Sequence, residues 1–421
     1  MKYHNLHRLC GNEQGAIALI WAIMLPVAVG FIGLGVDVGF WYASKRDLQN
    51  AVDAAAIAAA YDLSVGSPQS STMLATATYE LARNGYAASD KVVLTVHYPP
   101  TSGAYTGSTQ SVQVVAAQPQ VRLFSKMFLA YDPTANVSAT ATRQPIGSAC
   151  VLALSQTANN AAYFQGSTTV NLNGCSVASN SYTSSAIAIS GSSTLSAYSL
   201  YTSGGVSQSG SSHLTTTAST VTNGTQLTDP FANVAIPSYS GCNKSSYSVN
   251  ATATISPGVY CNGMDFKSKA VVTMNPGVYI VDRGSFNAGA GAKVTGTGVT
   301  IILTSSTGAS YSTITVNGGA TVTLSAMTTG STAGLLFYQD RRAPVATNSN
   351  KINGDSTSSY TGALYFPKQE LQFSGNSSTN GGRCTKIIAN TVTFIGNSYL
   401  SNTCPASVAT VNTQGLVTLV E

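Results

Sequence analysis

The side chains able to do acid–base or hydrolytic chemistry are few and scattered. Beyond residue 147 the carboxylates are Asp229, Asp265, Asp282, Asp340, Asp355, Glu370 and Glu421, and His213 is the imidazole. Glycoside hydrolysis needs two carboxylates about 5–10 Å apart, and no Asp-Asp or Asp-x-Asp unit supplies them. Asp265 and Asp282, 17 residues apart, are the pair expected to approach each other on one face. Lys267, Lys269 and Arg283 stand beside them, so surface ion pairing accounts for these acids better than catalysis. A calcium site would need several carboxylates converging on one cation, and a zinc site would need closely spaced Cys and His. Neither pattern is present. The reading is no enzyme, no metal and no cofactor, with a polysaccharide lyase or hydrolase as the least favoured alternative.

Cysteine chemistry is more informative. Cys10 precedes an apolar run, whereas Cys150, Cys175, Cys242, Cys261, Cys384 and Cys404 all follow it. An even set at wide spacing suits an oxidising compartment. Connectivity is open from sequence alone; bonds between nearest neighbours, 150–175, 242–261 and 384–404, are preferred. The most charged stretch of the C-terminal part is Gln339-Asp340-Arg341-Arg342, which makes Asp340, Arg341 and Arg342 a candidate contact loop. Solvated surface charge is the plainer reading of the same residues.

Charged residues are 8% of the chain, against about 25% in ordinary soluble domains. A hydrophobic content of 43% and 21 Tyr nevertheless argue for folded structure. Basic residues do not cluster with aromatics, which excludes a nucleic-acid footprint. From Ala16 to Val36 no residue is charged, and about 20 apolar residues suffice to cross a bilayer as helix. A cleaved signal peptide is the competing reading, but its apolar core is usually about 7–15 residues. The expected organisation is a cytoplasmic tail over 1–14 and a transmembrane helix over 15–40. A helix plus small sheet, a pilin-like α+β module, follows over 41–146, and a β-rich ectodomain over 147–421. Trp41 and Tyr42 fall where an aromatic belt belongs. Leu48, Val52, Ala55 or Ala56, and Ala59 form a narrow apolar stripe, which packs on its own domain or on another chain. A second helix is expected over 70–82 and strands over 92–98, 111–116 and 137–142. Residues 122–129 read as a short helix with Leu123, Phe124, Phe128 and Leu129 on one face.

After Cys150, short apolar runs alternate with Gly, Asn and Ser turns. Ser256-Pro257-Gly258-Val259-Tyr260 recurs as Asn275-Pro276-Gly277-Val278-Tyr279, an offset of 19 residues. Periods near 20 residues built from short strands indicate a β-solenoid whose coils share one core. The expected fold is an all-β right-handed parallel β-helix, with an irregular β-sandwich as the alternative. Pro257 and Pro276 are expected at equivalent corners, with Val259 and Val278 stacked inward.

The N-terminal segment, about residues 11–62, resembles the TadG-like proteins of the tight-adherence (Flp) pilus system. The residues that carry the resemblance are Gly15, the internal Pro26, the Asp37-Val38-Gly39 exit, the Lys45-Arg46 patch and the Asp53-to-Ala60 alanine tract. Ile20 stands where a prepilin-type site has Glu, so the span is expected to stay attached. The resemblance implies a membrane-anchored, non-enzymatic accessory protein of pilus assembly. It would lie in the bacterial inner membrane as a single-pass protein, with its ectodomain in the periplasm. Its partners would be the membrane and pilus-machinery components. A carbohydrate-binding surface adhesin is the alternative, and polysaccharide would then be the partner.

Overall fold

A computed structural model of the chain describes residues 13–64, 69–86, 91–127, 129–144, 148–172, 174–353, 357–374, 378–379, 384–396, 399–401 and 416–421. It contains two compact units, Met1–Pro145 with Val417–Glu421, and Ile146–Leu416. The second is therefore an insertion in the sequence of the first. The expected ectodomain span 147–421 is corrected at its end, because the last residues return to the N-terminal unit.

The first unit is built on α1 (Glu13–Tyr61), one continuous helix with Pro26 inside it. Ring closure removes one backbone donor, yet the helix runs on. Its first half carries exposed Ile, Leu, Val and Phe side chains from Ile17 to Phe40, and is long and apolar enough to cross a membrane. From Leu48 onward the small side chains Ala51, Val52, Ala55, Ala56, Ala59 and Ala60 are buried. They pack in a core within the same unit. Small residues let neighbouring backbones approach closely, and α2 (Ser70–Arg83) packs there through Met73, Ala77 and Leu81. Strands β1 (Val93–His97), β2 (Ser111–Pro119) and β3 (Thr134–Gln144) form an antiparallel meander. The final strand, Leu416–Leu419, extends this sheet beside β3. Val112, Val114 and Ala116 on β2, with Val137, Ala139 and Ala141 on β3, alternate inward as a half-buried sheet requires.

One local expectation fails. Residues 122–129 hold a single 3-10 turn, Ser125–Met127, where a helix was expected; Phe128 lies outside the described residues. The short segment satisfies its N–H groups through a side chain of α1, described below, and so does not propagate.

In the second unit every described pairing is parallel. An irregular sandwich of antiparallel strands is not what forms. One ladder runs through Lys244–Val249, Gly258–Phe266, Gly277–Asp282, Val299–Thr304, Leu335–Gln339, Ser359–Phe373 and Thr385–Phe394. It then continues through Ala149–Ala153, Ser176–Ser179 and Leu200–Thr202. Spatial order is thus a circular permutation of chain order. The chain joins the ladder in its middle, winds to one end, crosses back, and winds from the other end to meet its own start. Two further sets of parallel ladders accompany the first, through pairings such as Phe286↔Ile314 and Val294↔Val322. The inner core collects the side chains facing between them, among them Phe164, Val177, Phe266, Val281, Ile301, Leu336, Phe366 and Phe394.

The repeated phrase does occupy neighbouring rungs, but in a different register. Val259 lies opposite Ile280 and Tyr260 opposite Val281, an offset of 21 where the sequence phrase repeats at 19. A slip of two residues preserves the face of every side chain, so the alternation survives the change. The expectation that Val259 and Val278 point inward is corrected: both belong to an outer apolar cluster, and the inward residues are Tyr260 and Tyr279. Their hydroxyls explain the phrase. Tyr260 donates to the Ser256 carbonyl at 2.6 Å and Tyr279 to the Asn275 carbonyl at 2.8 Å. Each tyrosine thereby closes its own Pro-Gly turn from inside. Gly258 and Gly277 have φ of +152° and +138°, a region that side chains disfavour, and a Cβ at Gly277 would overlap the Pro257 ring.

Gly277→Ala is expected to destabilise the parallel stack by about 1–3 kcal/mol, from strain and overlap together. Gly308, with φ +75° and open space around it, provides the control. Guanidinium unfolding followed by far-UV circular dichroism should show a larger midpoint loss for Gly277→Ala than for Gly308→Ala. Equal midpoints would contradict the register described.

Candidate functional site

Among the described residues, polar chemistry combines with a defined geometry at one place in each unit that the sequence reading points to. In the first, Asp37 is fully buried although it stands on the apolar helix α1. Its carboxylate accepts the backbone N–H groups of Leu123 at 3.2 Å, Phe124 at 3.0 Å and Ser125 at 2.6 Å. One side chain thus serves three orphan donors at the start of the 3-10 turn. One turn further along α1, the Trp41 indole N–H donates to the Val121 carbonyl at 2.7 Å. Gly33 supplies the space for this docking, since a Cβ there would lie 2.7 Å from the Phe124 Cβ. Of the residues singled out from sequence, Gly15 and Pro26 lie within α1. Around Gly39 nothing would meet a Cβ, so packing within the unit does not require glycine there. Gly33 was not singled out; its only sequence signal is a small residue one helical turn before Asp37. Asp53 accepts the Gln49 side-chain amide at 2.7 Å, and the same amide reaches the Ser138 carbonyl of β3 at 2.9 Å. Asp53 therefore orients a helix-to-sheet hydrogen bond.

In the second unit, residues 222–243 cross the outer face of the ladder as a strap. Its apolar residues Leu227, Phe231, Val234, Ile236 and Tyr239 cover Leu152, Ile302, Ile280, Val259 and their neighbours. Polar contacts mark its progress from rung to rung. Tyr201 donates to the Thr225 carbonyl at 2.5 Å. The Asn180 side-chain amide pairs both ways with the Leu227 backbone at 2.8 Å. Tyr365 donates to Asp229 at 2.5 Å, and Tyr338 to the Val234 carbonyl at 2.9 Å. The disulfide Cys242–Cys261 closes the far end, and Cys150–Cys175 links the neighbouring strands Ala149–Ala153 and Ser176–Ser179. Cys384 is also disulfide-bonded; Cys404 and Cys10 lie outside the described residues.

Asp340, Arg341 and Arg342 sit under and beside this strap. Arg341 lies over the rings of Tyr338 and Tyr365, 5.6 and 5.2 Å from their centroids. It donates to the Tyr365 hydroxyl at 2.8 Å, and to the Val234 carbonyl and the Tyr338 hydroxyl at 2.9 Å. The two rings stack on each other, with centroids 5.3 Å apart, and the guanidinium beside the pair combines cation–π attraction with directed donors. Burial and the neighbouring Asp229 carboxylate push the Tyr365 phenol well up, so it remains a donor. Asp340 is buried, accepts the Thr304 hydroxyl at 2.7 Å, and pairs with the exposed Arg342 at 2.7 Å. Burial opposes its ionisation, but the hydrogen bonds from Arg342 and Thr304 outweigh it and hold the carboxyl below its ordinary value. The same balance holds for Asp282, where burial is outweighed by the Ser306 amide and hydroxyl and by Arg283.

The expected approach of Asp265 and Asp282 on one face is corrected. Asp282 pairs in register with Cys261 and Thr304, whereas Asp265 stands opposite Asn287 in another ladder. The two-residue change of register and the bend within Gly258–Phe266 separate them. Asp265 instead binds Lys267 and the Asn287 amide. His213 is exposed on a strand of the five-stranded sheet. Glu370 is buried and accepts the Thr393 hydroxyl at 2.6 Å. Asp355 lies outside the described residues. Among the described residues no group of His, Cys, Asp and Glu is arranged to hold a metal ion.

The N-terminal geometry coincides with a family signature. Residues 15–62 match the Tad family model, described as putative Flp pilus-assembly TadE/G-like. The match is confined to this segment. It covers the apolar half of α1, the Asp37 contact and the alanine stripe, and ends with the helix. No curated protein and no solved structure matches the chain.

Two outcomes follow from the strap chemistry. Arg341→Ala removes the guanidinium that joins strap to ladder, a loss of about 1.5–3 kcal/mol for charged hydrogen bonds. Limited proteolysis should then cut within 222–243 faster than in the parent, and an unchanged cleavage rate would refute the role. The second concerns acid. Asp282 and Asp340 have depressed folded values, so their stabilisation is complete above the unfolded carboxylate value of about 3.9 and is lost as pH falls through the folded values. The stability gap between the parent and Asp282→Asn/Asp340→Asn should be open at pH 6 and close between about pH 4 and 2. Thermal unfolding across that range measures it, and a pH-independent gap would argue against ionised pairs.

Proposed function

We propose that this protein is a membrane-anchored, non-enzymatic accessory or structural component of Flp pilus assembly. On this reading α1 holds it in the bacterial inner membrane, and the second unit lies in the periplasm as a right-handed parallel β-helix. The observation that carries the reading is the Tad segment, matched over residues 15–62 and folded as an apolar helix continuous with a small α+β unit. Three further features support it. Two intact disulfides in the second unit fit an oxidising compartment. Parallel rungs joined by short turns fit a β-helix, for which right-handed crossover is the strong preference. The carboxylates Asp229, Asp265, Asp282 and Asp340 are committed to ion pairs or to hydrogen bonds within the fold, which favours a scaffold over a hydrolase.

In-frame deletion of the coding sequence in the native host tests the reading. Surface filaments counted by electron microscopy should be lost or strongly reduced. They should return with the full chain and not with residues 41–421 exported behind a cleavable signal. Unchanged filament numbers in the deletion strain, or full rescue by the unanchored form, would overturn the proposal.

A further inference from the structure

The anchor helix is not the only element of the first unit with an apolar surface turned outward. In the segment 121–131, between β2 and β3, Val121, Leu123, Phe124, Met127 and Tyr131 are exposed, Met127 to 85% and Tyr131 to 71%. This segment lies along α1 on a descending path. Its start meets Trp41 through the Val121 carbonyl. Its next three residues are held by Asp37, and Phe124 fills the notch at Gly33. Its far part, Ser125, Met127 and Leu129, lines an apolar groove with Pro26, Gly30 and Phe31. From Pro26 to Asp37 the helix rises about 16 Å at about 1.5 Å per residue, close to the roughly 15 Å half-thickness of a hydrocarbon core.

We propose that residues 121–131 form a second membrane-inserted element, a re-entrant loop that dips beside α1 and is covered by lipid acyl chains. The proposal rests on the anchor reading given above. The occupant follows from continuity: the exposed side chains extend the same apolar surface that α1 presents from Ile17 to Phe40. Backbone polar groups at such depth find no water, so irregular chain survives there only where protein supplies the partners. Asp37 does so for three N–H groups at the point where the segment leaves extended structure. A carboxylate near hydrocarbon is expensive unless paired, and here three backbone donors share it. The rims of the loop are polar. Arg122 pairs with Asp132 at 2.5 Å and donates to the Leu129 carbonyl, and Trp41 sits at the level of an interfacial belt. Lys126 is exposed, and its long stem lets the amine reach the headgroups.

The test uses the full chain reconstituted in phosphatidylcholine vesicles carrying a diazirine on an acyl chain, followed by photolysis and tryptic peptide mapping. Trypsin separates residues 9–45, 123–126 and 127–143. Lipid adducts are expected on 9–45 and also on 123–126 and 127–143. Adducts on 9–45 alone would overturn the loop and leave the anchor standing. Adducts on none of the three would overturn both. Chain-to-chain cross-links from 123–143 in place of lipid adducts would assign the face to a second copy and overturn the proposal. Met127→Asp should lower labelling of 127–143 by about tenfold or more, given the penalty for an ionised side chain in hydrocarbon, with labelling of 9–45 unchanged. Equal labelling of 127–143 in parent and variant would also overturn it.

Discussion

Ile387, Ile388 and Ala389 lie in parallel register beside Val151, Leu152 and Ala153, and Phe394 stacks between Phe373 and Phe164 at 5.1 Å from each. The second unit depends on this seam. A rung at the end of a stack lacks one neighbour to cover it, and a stack begun in its interior leaves two such open ends. The seam closes both at once, because the last rung of the long arm is the floor of the short arm. It also brings the start and finish of the unit to one place, which is the condition for inserting a domain between neighbouring strands of another. β3 and Leu416–Leu419, adjacent in the sheet of the first unit, are the strands so divided.

The crossing from one end of the stack to the other follows from that topology. A permuted ladder requires a connection along its length, and residues 222–243 make it by lying on the ladder's outer face. The connection would be a long loop with little to hold it. Instead it brings an apolar row that turns the outer face of the ladder into a second core, and it is fixed at intervals by Asn180, Tyr365, Tyr338 and Arg341. The disulfide at Cys242–Cys261 fastens the chain where winding resumes. Of the charged group Asp340 to Arg342, read from sequence as a candidate contact loop or as solvated surface charge, Arg341 is taken up by this fastening.

What was legible in the sequence was local. The length and uncharged composition of α1, its alanine stripe, the helix over 70–82, and the strands over 92–98, 111–116 and 137–142 could be read because period and propensity act within a few residues. The repeated Pro-Gly-Val-Tyr phrase showed that rungs exist. It misled on register, since Tyr260 and Tyr279 close their own turns and the pairing between rungs is set separately. Asp37 was recognisable as part of a family pattern, but its task depends on residues 123–125, far along the chain. Apolar spacing in 122–129 suggested a helix because the sequence does not display which side will be docked on α1. The seam between residues 385–394 and 149–164 was illegible for a similar reason. Two good strand formers carry no mark that they are neighbours across more than half the chain.

The permuted order has a consequence for biogenesis. At about 5–20 residues per second of synthesis, the strand Ala149–Ala153 exists for something like ten seconds to a minute before Thr385–Phe394 is made. Throughout that interval Val151, Leu152 and Phe164 belong to rungs with a missing floor, and their strand edges are open to any passing β-segment. Until that rung arrives, Ala149–Ala153 has only one of the two neighbouring strands it has in the folded unit.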